Sequence, residues 1–221
     1  MKIVIPTCDA YSFLVPANIY YLQRFWPDCP FKVVVVAGKK EIKVPSGVEI
    51  VYLGEDHQFG SNMINFLDSH YTDEHLLIWF DDYFLYQLDR DVLSAAVDLA
   101  GHEEVTSVRL SQTYTPEGKP FEPDARFCYI DKSEPYSFSQ QAGIWRTDSY
   151  RRLLWAGENP WQAELEGSTR VRKTADSLGE FFGVSVPCLD YKNACYQGGI
   201  DKGTFIWALE TLIPEVVNGL P

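Results

Sequence analysis

Short apolar runs alternate with amphipathic stretches from the start of the chain, which predicts strands and helices in turn, an α/β sheet rather than a sandwich or a bundle. Residues 2–6 read as a first strand, and residues 11–26, apolar at 15, 19, 22 and 26 and closed by Trp26-Pro27, read as a first helix. The run at 32–37, a lysine before four valines and an alanine, is too uniformly β-branched for a surface strand and predicts a central parallel one. A strand at 48–53, and then Gly60-Ser61-Asn62 preceding a helix that carries Met63, Ile64, Phe66 and Leu67, repeat the unit. The next strand, 74–80, runs straight into Asp81-Asp82. A helix at 91–100 and a strand at 106–110 follow, and the Pro-, Gly- and charge-rich stretch 111–137 reads as a long surface excursion.

The last third is less regular. It predicts a strand at 142–146, a helix at 147–155 capped by Thr147, and a second helix opened by Asn159-Pro160-Trp161-Gln162, which has the N-cap, first-turn proline and third-position glutamine of a capping box. A strand at 184–189, a turn at Gly198-Gly199 and a closing segment at 204–217, where Pro214 limits any helix, complete the chain. With no repeat and no linker, residues 1–221 are expected to form a single domain.

The 221 residues, 46% of them hydrophobic and 14% aromatic, suffice for a sizeable core and exclude disorder. The 19 basic and 31 acidic side chains leave a net charge of −12, which opposes a broad phosphate-tracking surface. The balance reverses locally, with 6 basic against 4 acidic residues at 146–173, so an anionic ligand is expected to meet that stretch. The apolar start ends at Pro6, no run of about 18 apolar residues occurs, and the five cysteines are odd in number and scattered. These features predict a chain without signal peptide, membrane span, zinc site or disulfide framework, placed in the reducing cytoplasm.

Ligands of open parallel sheets bind beyond the carboxyl ends of the strands, where Asp81 and Asp82 fall. Two adjacent carboxylates among Trp79, Phe80, Tyr83 and Phe84 call for a positive partner. A hard divalent cation, Mn²⁺ or Mg²⁺, fits that need and keeps positions open for phosphates. Neighbours in an extended chain face opposite ways, so one of the pair, Asp82, is expected to be the direct metal ligand.

The opening Ile5-Pro6-Thr7 with Asp9, the strand ending Trp79-Phe80-Asp81-Asp82-Tyr83-Phe84, and Gly157-Glu158-Asn159-Pro160-Trp161 followed by Glu164 and Gly167-Ser168 resemble bacterial and viral glycosyltransferases of the GT-A class over roughly residues 1–200. The resemblance implies a GT-A-like, mostly parallel sheet flanked by helices. It implies a nucleotide-sugar-binding half at 1–110, an acceptor-binding half at 111–221, and an acidic DXD-type motif that holds a metal on the diphosphate. Here Tyr83 stands where that motif has its last acid.

On this reading Pro6, Thr7, Asp9, Ser61, Asn62, Asp81, Asp82 and Lys202 contact the nucleotide sugar, with Arg170, Arg172 and Lys173 as further cations for a pyrophosphate. Gln141, Trp145 and Trp161 line the acceptor site. Glu164, three residues beyond Trp161 on the same helical face, is the expected catalytic base of an inverting transfer, with Glu158 and Glu166 as rivals. The implied reaction moves a hexose or pentose from a nucleotide-diphosphate sugar to a hydroxyl of a glycan or glycoconjugate. The alternatives are transfer to a hydroxylated base of viral DNA, sugar-phosphate nucleotidyl transfer, and sugar binding without catalysis.

Overall fold

The computed structural model describes residues 1–196, 199–208 and 211. In chain order the strands are β1 (Lys2–Pro6), β2 (Val33–Ala37), β3 (Glu49–Tyr52), β4 (His75–Ile78), β5 (Tyr83–Leu88), β6 (Val105–Arg109), β7 (Phe127–Tyr129), β8 (Gly143–Arg146), β9 (Glu180–Val184) and β10 (Leu189–Asn193). The helices are α1 (Val15–Phe25), α2 (Phe59–His70), α3 (Arg90–Ala100), α4 (Thr147–Leu153) and α5 (Pro160–Lys173). Eight strands form one sheet in the order β3-β2-β1-β4-β8-β6-β9-β7. The β3-β2-β1-β4 half is parallel, and β8 runs antiparallel to β4 and β6 between them.

Strand alternation divides the core into two layers. Ile3, Ile5, Val35 and Ala37 face Val15, Ile19 and Leu22 of α1 and Val92, Leu93 and Ala96 of α3. Val4, Val34 and Val36, one position out of phase, face Met63 and Phe66 of α2, Tyr150 and Leu153 of α4 and Ala163 of α5. Both faces of β1 and β2 are thus covered, as their unbroken apolar runs require. The expected fold class holds, a mostly parallel sheet with helices on both faces.

Several local expectations need correction. Residues 12–14 form a 3₁₀ turn, and α1 starts only at Val15 with Pro16 in its first turn. The predicted strand at 184–189 does not exist as one strand: β9 ends at Val184 and β10 begins at Leu189, because Pro187 has no N–H to give a ladder. Arg146, not Thr147, is the N-cap of α4; the Thr147 hydroxyl donates to the Asp73 carbonyl at 2.8 Å instead. The 111–137 excursion contains β7. Of the predicted turn at 198–199 and closing segment at 204–217, Gly198, 209–210 and 212–217 lie outside the described residues, while 202–208 are helical.

A feature absent from the pattern reading is the antiparallel pair β5–β10, which stands apart from the main sheet. It pairs Asn193 with Tyr83, and the Ala194 N–H donates to the Asp82 carbonyl at 2.7 Å. The acidic pair is therefore gripped from a segment over a hundred residues away.

Candidate active site

A cavity of about 580 Å³ opens at the carboxyl edge of the parallel strands, within the size range of small-molecule sites. Pro6, Thr7, Asn62, Asp81, Asp82, Gln141, Trp161 and Glu164 all line it. Contrary to the alternation argument, Asp81 and Asp82 both do so, because they occupy a turn between β4 and β5 rather than an extended strand.

Asp81 is buried, and its Oδ2 accepts from the Thr7 hydroxyl at 2.5 Å, which ties the β1 loop to the β4 loop. Burial pushes its carboxyl up to about 8, the Thr7 bond opposing and the Asp82 charge adding to the rise. Asp82 is pushed up to about 6, again by burial, against backbone N–H bonds from itself and Cys195. Two carboxyls this far above their ordinary range lack a positive partner.

Glu164 lines the same cavity. Its Oε1 accepts from the Gln140 N–H at 2.7 Å and the Ser139 hydroxyl at 3.0 Å, while Oε2 accepts nothing from the described residues. Burial raises its pKa, opposed by those two bonds and by the charge of buried Arg109. The position follows from local sequence. The Asn159 side chain accepts from Gln162 N–H and the Gln162 side chain accepts from Asn159 N–H, the capping box foreseen from sequence. Gly167 then brings α5 against Phe138, where a Cβ would fall 2.2 Å from the ring.

Asn159→Ala is expected to lower stability by about 1 kcal/mol, measured as a shift in the urea midpoint at unchanged slope. An unaltered midpoint would show that the box does not set the start of α5.

Four expected site residues are placed elsewhere. Asp9 uses Oδ1 to accept from the Lys39 and Lys40 N–H groups, closing the turn after β2. The Ser61 hydroxyl accepts from Gly157 N–H at 2.8 Å, where α2 meets the loop before α5 so closely that a Cβ at Gly60 would lie 2.0 Å from the Trp155 carbonyl oxygen. Trp145 is 3% exposed and packs on Phe138, Tyr150 and Phe181. Its parity in β8 points it into the core rather than into the cavity. Lys202 is exposed at the start of the 202–208 helix and is not among the lining residues.

The expected cationic stretch is corrected as well. Arg170 donates from both terminal nitrogens to Glu158, at 2.8 and 2.7 Å, and from Nε to the Leu153 carbonyl. That pair is largely buried, and Glu158 is not among the residues that line the cavity. Arg172 and Lys173 lie in the last turn of α5, and Glu166 is exposed; none of these lines the cavity. Among the described residues no lysine or arginine lines the cavity, whereas Asp56, Asp81, Asp82 and Glu164 do.

Asp56, missed in the sequence, accepts on Oδ1 from Gln58 N–H and the Asn62 amide. Gln58 adopts φ +72° beside it, a strained backbone held at a cavity wall. A polar loop at the end of the third strand was the available signal.

Among the described residues no three His, Cys, Asp or Glu side chains gather into a metal cage. The donor set, two carboxylates short of positive charge in an acid-lined cavity, fits Mn²⁺ or Mg²⁺ held by one or two carboxylates and completed by substrate phosphates. No described helix is long and apolar enough to cross a membrane.

No family profile and no curated protein matches the sequence. Solved structures do match. Residues 1–349 of Staphylococcus aureus TarS in complex with UDP-GlcNAc match at TM-score 0.59 and 14% identity, over 100% of this chain and 68% of that one. The mannosyltransferase PcManGT from Pyrobaculum calidifontis, in complex with GDP-Man and Mn²⁺, matches at TM-score 0.52 and 18% identity, over 89% of this chain and 57% of that one. A UDP-glucose pyrophosphorylase complexed with UDP-glucose matches at TM-score 0.56 and 10% identity, over 97% and 98%. At such identities the likeness is one of fold: this chain has the single-domain, mostly parallel sheet of GT-A-like and Rossmann-like proteins.

Proposed function

We propose that the protein is a metal-assisted glycosyltransferase moving a sugar, with inversion, from a nucleotide-diphosphate donor to a hydroxyl of a glycan or glycoconjugate. The observation that carries the reading is one cavity lined by buried Asp81, half-buried Asp82 and a helix-mounted carboxyl, Glu164, all three raised above their ordinary range by burial. A bound Mn²⁺ or Mg²⁺ would supply positive charge against the diphosphate leaving group. Asp82 would hold it, with Asp81 fixed beside Asp82 by Thr7. Asn62 and Pro6 face the nucleotide. Glu164, its Oε1 fixed, takes the acceptor hydroxyl's proton at Oε2, and a single base acting in a single displacement inverts the sugar carbon.

Nucleotidyl transfer, which the pyrophosphorylase likeness raises, needs fixed cations around the attacked phosphate. The β1 loop, Thr7-Cys8-Asp9-Ala10, carries no lysine or arginine, and among the described residues neither type lines the cavity. Sugar binding without catalysis is separated by measuring nucleotide-sugar hydrolysis.

Thermal shift with UDP-GlcNAc, GDP-mannose and UDP-glucose, with and without Mn²⁺, tests the reading. At a hundredfold excess over Kd, a donor is expected to raise Tm by about 5–10 °C, and only with the metal. The shift is expected to grow from pH 5.5 to pH 8, since the carboxyls at about 6 and about 8 must ionise to hold the cation. Without ligand the sign reverses. Acids whose pKa is raised on folding add stability that is complete below the ordinary carboxylate range and is lost as pH rises through 6 to 8. An equal shift without Mn²⁺, or a larger one at pH 5.5, would remove the metal from the scheme.

A further inference from the structure

Asn18 lies on α1 among Val15, Ile19 and Leu22, and like them it is buried. It is not among the residues that line the cavity. Asparagine is a weak helix former, and its amide is costly to bury unless it is bonded, so an asparagine on the core face of a helix calls for a partner.

That partner is the turn that carries the acidic pair. The Tyr83 N–H donates to the Phe80 carbonyl at 3.1 Å, which closes a four-residue turn with Asp81 and Asp82 at its two central positions. Asn18 Nδ2 donates to the carbonyls of both end residues, to Phe80 at 2.9 Å and to Tyr83 at 2.7 Å. One amide on α1 thus spans the turn.

The orientation of that amide follows from the same contacts, because turning it over would set its oxygen against two carbonyl oxygens. Asn18 Oδ1 is closed to solvent and has no partner among the described residues. A core that needed only filling would take leucine here, which has a similar shape and no polar atom to desolvate. What the asparagine adds is its two bonds to the turn.

The Asp82 carbonyl accepts from the Ala194 N–H at 2.7 Å. The peptide planes before Asp81 and after Asp82 are therefore both fixed, the first from α1 and the second from the end of β10. Adjacent carboxylates repel each other, and a turn free to rotate would swing one of them away. The pinned ends oppose that motion.

We propose that Asn18 is a positioning residue of the cation site: its amide holds the turn in the form in which Asp82 meets the cation with Asp81 beside it. The proposal rests on the metal-holding part of the glycosyltransferase reading and adds to it a residue that touches neither metal nor substrate.

The test is Mn²⁺ binding, read from the EPR signal of the free ion, with and without UDP or GDP. Asn18→Leu, which keeps the shape and removes both donors, should weaken Mn²⁺ binding by roughly 10–100-fold, the usual effect of removing a group that orients a metal ligand. Val92→Ala opens the same core layer from α3 and serves as the control for loss of packing. It should lower Tm yet change Mn²⁺ affinity by about twofold or less. A measurement on the parent protein needs no variant to fold: Mg²⁺ titration should move the NMR resonances of the Asn18 side-chain amide with the same Kd as the Asp82 backbone N–H. Mn²⁺ affinity unchanged in folded Asn18→Leu, equal weakening in Val92→Ala, or Asn18 amide resonances indifferent to Mg²⁺ while the Asp82 resonance moves would each defeat this proposal alone. A parent protein that binds no Mn²⁺ under any of these conditions would remove the cation from the transferase reading and the proposal with it.

Discussion

Asp82→Asn is expected to lower turnover by roughly 10²–10³-fold, about 3–4 kcal/mol, the scale on which lost electrostatic stabilisation of a transition state is felt. The substitution keeps size and an oxygen for the Cys195 N–H but removes the charge proposed to hold the cation. The Mn²⁺ dependence of donor binding should disappear with it. The unliganded protein should gain stability at pH 8, because a carboxyl already pushed up to about 6 by burial no longer has to ionise in place. That rise in Tm separates loss of metal from loss of fold. Asp81→Asn should retain more metal dependence, since Asp81 is the deeper of the two and is fixed by Thr7. Metal-dependent turnover unchanged in Asp82→Asn would end its assignment as the cation's ligand.

Much of the frame is readable in the chain because its causes are local. The uniform valines of β2 demand cover on both faces, and α1 with α3 on one side and α2, α4 and α5 on the other supply it. The Asn159-Pro160-Trp161-Gln162 signal places α5 correctly because a capping box closes within four residues. The acidic pair falls at the end of a parallel strand, and eight of the twelve expected site residues share one cavity.

The misses are long-range. Nothing near Tyr83 signals that β5 pairs with β10, a partner a hundred residues on. Without that pairing the Ala194 bond to the Asp82 carbonyl cannot be placed. Trp145 has the composition of a sugar-binding residue, and only its register opposite Leu76 in β4 turns it inward. Arg170 reads as a free cation until its partner Glu158 is seen twelve positions earlier, beyond the reach of neighbours on one helix. Pairings across sequence distance, rather than propensity, decide which polar side chains remain open to a ligand.

Glu164→Gln is expected to reduce transfer by roughly 10²-fold or more, the usual contribution of a positioned base, while donor thermal shifts stay intact. The glutamine side-chain oxygen can accept from Ser139 and Gln140 as Glu164 Oε1 does, so the turn before β8 should hold and the change isolates proton acceptance. In the parent protein the acid limb of kcat/KM for transfer should lie above the ordinary carboxylate range, because burial raises Glu164 more than its hydrogen bonds and Arg109 lower it. Glu166→Gln, exposed and away from the cavity, should change transfer less than threefold. Glu158→Gln should act on stability, since it strips Arg170 of a largely buried partner. Transfer that survives in Glu164→Gln, with fold and donor binding confirmed, would take the base away from α5 and leave inversion through this helix without support.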